Sequence, residues 1–236
     1  VNTGKIFGID YKKLIIIGAA VECIHSYSLI HDDLPSMDND DLRRSKPSTH
    51  KKFNEFTAIL AGNSLLTLAF EILSGNDLKL SQKIKTELIK SISNCSGHSG
   101  LAGGQYSDLT FENKKISKNN IIDMQKKKTG KLFGFCCESI AIINESNITK
   151  RNLLRNIGLK IGLLFQIVDD LIDYKKDGIL VGKLTKDVDE KRKATLVNLL
   201  GKDKSLNFAK NLKKRLDQKI KKYGNKAKDL LDSIEF

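Results

Sequence analysis

From Leu14 to Ile30 the chain is apolar apart from Glu22, His25 and a few hydroxyl side chains. Leu14, Ile17, Val21, Ile24 and Ser28 recur at helical spacing, and so do Ile16, Ala20, Cys23 and Tyr27, so apolar positions cover most sides of one helix. A helix of that kind belongs in the middle of a fold, and this one is expected to end near His31. Lys12 and Lys13 ahead of Leu-Ile-Ile-Ile mimic the start of a signal peptide, but Glu22 and His25 make the stretch too polar to cross a bilayer. No membrane span is expected.

Helical patterns follow at 53–73 and 80–101, with Gly100 to Gly104 read as a break that closes the second. Asn120 is read as the start of a helix through 121–143, and Thr149 as the N-cap of one running to Tyr174. A glycine-containing loop with several lysines is expected at 175–193, then two amphipathic helices in the last forty residues. Two prolines, no tryptophan and few turn clusters exclude a sandwich or barrel, which needs a turn signal roughly every 8–12 residues. The expected class is all-α, and with no linker in view residues 1–236 read as one domain.

The formal charge is +13, which raises the question of nucleic acid. Residues 1–110 hold 12 basic and 12 acidic side chains, and 111–236 hold 29 and 16, so the whole excess is C-terminal. Much of it lies on patterns such as 210–228, where Leu212, Leu216, Ile220 and Tyr223 make one apolar face and the lysines a solvated one. No nucleic-acid partner is expected, and a positive field also suits a phosphate-rich ligand. Cys23, Cys95, Cys136 and Cys137 form no C-x-x-C pair and fit neither a disulfide framework nor a zinc cage, so a reducing, cytoplasmic location is expected.

The strongest local signal is HDDLPSMDNDDLRR at 31–44, with five aspartates in ten residues. Carboxylates packed so closely raise one another's energy unless a cation is present. Asp38 lies six residues beyond Asp32, about 120° away on an unbroken helix, so the two could not reach one ion. Pro35 supplies the break: its ring clashes with the carbonyl of His31 and its missing N–H stops the helix, which lets Asp38 swing round.

A second signal is FQIVDDLID at 165–173, where Asp169 and Asp173 share a helix face with Gln166. Hard oxygen ligands supplied one or two at a time point to Mg²⁺, which is held by few carboxylates together with substrate phosphates. Two such sets facing one another would grip a diphosphate.

These two motifs, with VECIHSYSLI before the first, Arg43-Arg44, GGQYSDL at 103–109, KTG at 128–130, FQ at 165–166 and GK at 182–183, resemble the trans-isoprenyl diphosphate synthases over nearly the whole chain. The resemblance implies an isoprenoid-synthase-type helical bundle around a deep central cavity, assembled as a homodimer, with the aspartate motifs facing each other. It implies that Asp32, Asp38, Asp169 and Asp173 bind Mg²⁺, with Asp33 and Asp170 supporting them. Arg43, Lys128 and Lys193 would contact the allylic diphosphate, with Lys183 close by. His25 and Arg44 would serve isopentenyl diphosphate, and Thr129 and Gln166 would point oxygens at the allylic carbocation. Tyr27, with Ser28, would stop elongation at the fifteen-carbon product.

The implied reaction is head-to-tail condensation of isopentenyl diphosphate with dimethylallyl or geranyl diphosphate to give farnesyl diphosphate. Breaking the allylic C–O bond leaves a cation and a diphosphate anion, so fixed cationic groups must meet the developing negative charge in a dry site. A geranylgeranyl diphosphate synthase and a non-catalytic partner subunit of a heteromeric synthase are the alternatives. His31-Asp32 lacks the further ligands of a metal phosphohydrolase, and Gly103-Gly104 is not followed by the GK[ST] of a phosphate loop, so it reads as a helix break. Two departures stand out. Ser45 occupies a position where the family usually has glycine, and the family's upstream G-K-x-x-R-P segment and its usual C-terminal end do not fall within these 236 residues.

Overall fold

The computed structural model describes residues 1–181 and 193–236. These are almost entirely helical and form two compact units, one of Val1 and Ile9–Lys90, the other of Asn2–Gly8 and Ser91–Phe236.

The first unit is built on α2 (Tyr11–Asp32) and α4 (Glu55–Ser74). Asp10 caps α2 by accepting the Lys12 N–H at 2.8 Å, and Asn54 caps α4 by accepting that of Thr57 at 2.9 Å. Leu14, Ile17, Ala20 and Ile24 of α2 and Ala58, Ala69 and Leu73 of α4 are buried. Burying each of the larger aliphatic side chains is worth about 1.5–3 kcal/mol. Between the two helices a ribbon of two-residue strands, β1 (Leu42–Arg43) and β2 (Lys46–Pro47), turns through Arg44 and Ser45, and α3 (Thr49–Lys52) follows. By length and composition α2 and α4 are each apolar enough to cross a membrane, with mean hydropathies of 1.5 and 1.6, a property shared by core helices of soluble proteins. The expectation that α2 is too polar to span does not hold on that criterion, because its long Leu-Ile-Ile-Ile run outweighs Glu22 and His25.

The second unit contains α1 (Asn2–Ile6), α6 (Leu101–Phe111), α7 (Lys118–Gln125), α8 (Lys131–Ile143) and the 34-residue α9 (Ile148–Val181). After the undescribed residues come α10 (Leu196–Leu200), α11 (Lys202–Ile220) and α12 (Lys228–Asp232). The unit boundary falls at Lys90 and Ser91, within α5 (Gln82–Ser96). Ile121 and Met124 of α7, Leu154, Ile157, Leu164 and Ile167 of α9, and Leu216 and Ile220 of α11 share one core. The C-terminal apolar stripe is thus the buried side of α11, as its spacing requires.

Four boundaries differ from those read in the sequence. The long helix is capped by Asn147, whose Oδ1 accepts the Lys150 N–H at 3.0 Å, and not by Thr149. Ser117 caps α7 where Asn120 was expected. The helix carrying the second aspartate motif continues to Val181, so the loop expected from 175 starts no earlier than 182. Gly103 and Gly104, read as a break, lie inside α6, and the break falls earlier, at Gly97–Gly100.

Candidate active site

Within the first unit, α2 ends at Asp32, three residues before Pro35. The chain then folds back: the Asp38 N–H donates to the Asp32 carbonyl at 2.9 Å, and those of Met37 and Asn39 donate to the Leu34 carbonyl at 2.9 and 3.1 Å. A helix that Pro35 cannot continue is replaced by a tight loop that returns Asp38 to Asp32. Both aspartates are partly exposed. Asp33 points the other way and is 2% exposed. Its Oδ1 accepts from Arg43 Nε at 2.9 Å and also from Arg43 Nη2, which reaches Asp40 at 3.3 Å. Asp33 therefore orients the guanidinium that the sequence assigns to diphosphate, and this pairing holds Arg43 firmly charged.

A pocket of about 310 Å³ lies in this unit, lined by Asp33, Arg43, Arg44, Ser48 and Thr49 together with Ser26 and Leu29 of α2. Arg44 is presented by the β-ribbon turn, where Arg44 and Ser45 have φ of 50° and 62°. Two successive positive φ values define the hairpin turn that favours glycine or asparagine, which explains why glycine suits the position of Ser45.

Tyr27 is 9% exposed and meets the ring of His31 edge to face, with centroids 5.7 Å apart. Burial and the charge of Asp32 raise the Tyr27 pKa, so its hydroxyl stays neutral. His31 Nε2 lies 3.2 Å from the Ile59 carbonyl of α4, an acceptor, so that nitrogen carries the proton. Ser28 is buried and donates to the His25 carbonyl at 2.8 Å; His25 itself is half-buried on α2.

Within the second unit, Lys126–Gly130 form one turn of π-helix between α7 and α8. Such bulges shift the side chains that follow and recur at functional sites. A Cβ on Gly104 would stand 2.1 Å from the Lys128 backbone nitrogen, so glycine is there to let α6 touch the π-turn and not to break a helix. Lys128 Nζ donates to Asp108 at 2.7 Å. Thr129 Oγ1 donates to Gln166 Oε1 at 2.9 Å, and Gln166 Nε2 donates to Asp170 Oδ1 at 3.0 Å. Gln125 Nε2 donates to the other oxygen, Asp170 Oδ2, at 2.8 Å. Burial pushes the Asp170 pKa up, to about 6, with the nearby charges of Asp169 and Asp108 adding to it and the two amides opposing it. Asp170 is turned into the protein, whereas Asp169 and Asp173 are exposed on α9.

Lys193 is exposed, and its carbonyl accepts from Thr195 and Asn198. Lys183 lies outside the described residues. The sequence did not single out Gln125, Asp108 or Gly62, and it read Gly104 only as a helix break. The motif GGQYSDL contains Gly104 and Asp108, but only the packing of α6 on the π-turn says what they touch.

Among the described residues no three histidine, cysteine or carboxylate side chains converge on one point. The carboxylates of Asp32 and Asp38, partly exposed, and of Asp169 and Asp173, exposed, are hard oxygen donors of the type Mg²⁺ takes.

The polyprenyl synthetase family model matches residues 1–234, and the chain belongs to that family. A farnesyl diphosphate synthase of Bacillus subtilis is 38% identical over 216 residues, covering 91% of this chain and 71% of its own length. Among solved structures, an FPP/GFPP synthase of Zymomonas mobilis has a TM-score of 0.88 at 39% identity, covering all of this chain and 79% of that one. A geranyltransferase of Helicobacter pylori, in complex with magnesium and isoprenyl diphosphate, has a TM-score of 0.83 at 33% identity, over 99% of this chain and 81% of that one.

Proposed function

We propose that residues 1–236 act as one prenyl synthase domain that condenses isopentenyl diphosphate, head to tail, with dimethylallyl or geranyl diphosphate to give farnesyl diphosphate. The observation that carries this reading is the π-turn, which bears Lys128 and bonds Thr129 to Gln166, a residue on the same helix as Asp169 and Asp173. A cation for a leaving diphosphate and two oxygens beside it are what ionisation of an allylic diphosphate needs.

Asp32 and Asp38 in the first unit, and Asp169 and Asp173 in the second, would hold Mg²⁺. When bound, the metal neutralises the diphosphate and assists its departure. Arg43, fixed by Asp33, and Lys128, parked on Asp108, take up charge on the departing oxygens, and Lys183 and Lys193 join them. The C–O electron pair leaves with the diphosphate. Oxygens of Thr129 and Gln166 face the carbon left electron-poor, the alkene of isopentenyl diphosphate supplies the pair for the new C–C bond, and the proton then lost passes to the released diphosphate. His25 and Arg44 hold the isopentenyl diphosphate, and the pocket beside Arg44, lined by Ser48 and Thr49, is of a size and polarity suited to such a group. Tyr27, with Ser28 beside it, closes the hydrocarbon path.

The exposed apolar side chains of Phe56 and Leu60 on α4 suit burial against a second copy, consistent with a homodimer. The four cysteines are all free thiols, as in a cytoplasmic enzyme. The test is a product assay with labelled isopentenyl diphosphate and each allylic partner, with Mg²⁺ and with EDTA. A Mg²⁺-dependent C15 alcohol after dephosphorylation is expected. A C20 product would keep the reaction and discard the stop at Tyr27, and no product from the folded natural protein would favour the non-catalytic subunit.

A further inference from the structure

Gln125 has no part in the mechanism above, yet it is only 2% exposed, on a helix whose other buried positions are Ile121 and Met124. Burying an amide is unfavourable unless its polar atoms are paired. Only one is: Nε2 donates to Asp170, and Oε1 has no partner.

The bond fixes more than Gln125. Each oxygen of Asp170 accepts from an amide, so both amides that reach it turn their N–H groups toward it. Gln166 is then left with Oε1 as the atom it offers to Thr129, and the Thr129 hydroxyl has to donate its hydrogen there. With its hydrogen given to Gln166, the Thr129 oxygen keeps its lone pairs to accept or to face positive charge. One carboxylate, accepting from an amide on each oxygen, thereby sets the direction of every bond as far as Thr129.

We infer that Gln125 is a positioning residue for prenyl transfer: by occupying Oδ2 of Asp170 it holds that carboxylate in the orientation that keeps Gln166 and Thr129 oxygen-first toward the allylic carbon. The inference rests on the proposed role of Thr129 and Gln166. Without the Gln125 donor, the Asp170 carboxylate can rotate and the Gln166 amide can reverse, which brings a positive N–H edge to a carbon that is becoming positive. Ground-state binding of a substrate whose allylic carbon is still neutral is indifferent to that reversal, whereas the charge-separated state is not.

The test compares two probes bound to the full chain with Mg²⁺: an allylic diphosphate analogue with an ammonium nitrogen in place of the reacting carbon, and an analogue whose allylic carbon is neutral and joined to the diphosphate through sulfur. Gln125→Met keeps the length of the side chain and deletes both its donor and its unpartnered acceptor; Gln125→Leu serves the same comparison. Each should lower kcat and the affinity for the ammonium analogue by about tenfold, with the sulfur analogue changed by less than about twofold. Gln125→His, which restores an N–H donor, should recover both. An equal loss for the two analogues, or no loss for either, overturns the inference. Failure of the unsubstituted protein to turn over isoprenyl diphosphates would instead defeat the functional reading, so the two failures are distinct.

Discussion

A Cβ atom placed on Gly62 would lie 2.1 Å from Nε2 of His31. The missing side chain on α4 is the space in which the imidazole sits, and that imidazole is the wall against which Tyr27 rests. Gly62→Ala must displace the ring, because no Cβ tolerates so close a neighbour. The cost expected for such overpacking is about 1–3 kcal/mol. Since Tyr27 loses its support, the products of Gly62→Ala should shift from C15 toward longer chains, as should those of Tyr27→Ala. Chromatography of the dephosphorylated alcohols decides this, and an unchanged product spectrum in both variants would remove Tyr27 from its assigned role.

Asp32→Ala and Asp169→Ala should each lower turnover by at least about 10²- to 10³-fold, the loss typical of removing a group that meets transition-state charge. Neither should lower the melting temperature measured without Mg²⁺, because deleting one of several neighbouring carboxylates relieves their repulsion. Near-normal turnover in either variant would contradict the metal assignment.

Gly104→Ala brings a Cβ against backbone, the Lys128 nitrogen at 2.1 Å, and backbone cannot swing aside as the His31 ring can. A loss of about 3 kcal/mol of stability is expected, at the upper end of ordinary overpacking. The turn that carries Lys128 and Thr129 must move, so kcat should fall as well. Urea unfolding and steady-state kinetics together test this, and a stable, fully active variant would refute the packing described.

Glu138 on α8 is fully buried and accepts from Ser91, Arg151 and Arg155. Burial alone would raise its pKa, but the hydrogen bonds and charge of Arg155, with Ser91 and Arg151, outweigh that and hold it below the usual glutamate value. The carboxylate binds its proton less readily folded than unfolded, so its contribution to stability is present above the unfolded pKa and disappears as pH falls through the folded one. Glu138→Ala strands two guanidinium groups and should cost about 3–5 kcal/mol near neutrality. The gap in melting temperature between the two proteins should narrow as the pH is lowered below the ordinary glutamate range; a gap independent of pH would show that ionisation of Glu138 is not its source.

Ser45 holds φ of 62° in the β-ribbon turn. A left-handed conformation disfavours a residue with a Cβ by about 1–2 kcal/mol, part of which glycine gives back through its freer unfolded chain. Ser45→Gly should therefore raise stability by up to about 1 kcal/mol. A lower urea midpoint in that variant would mean the turn is not under the strain its backbone implies.

Much was legible before any coordinates. The helical spacing of Leu14, Ile17 and Ile24, or of Leu216 and Ile220, marks buried faces because the period of a helix is a local property. Pro35 announces a stop because its ring and missing N–H act on its own neighbours. Asp169 and Asp173, four apart, share a face for the same reason. Gly104 misled: a local rule predicts a break, but what selects glycine there is the backbone of Lys128, more than twenty residues away, whereas at Gly103 it is the nearby His98 carbonyl.

What the sequence alone determined was the class of fold, the helices, the two aspartate motifs and, through their order with KTG and FQ, the family. Tertiary structure decided which aspartates look outward and which look in: Asp33 is spent on Arg43 and Asp170 on two amides, while Asp32 and Asp169 beside them in the chain remain partly or fully exposed. Adjacent residues of one motif are chemically identical in the sequence. They are separated only by what each helix turn is packed against, and that depends on residues such as Gln125 and Gly62, whose partners lie on other helices.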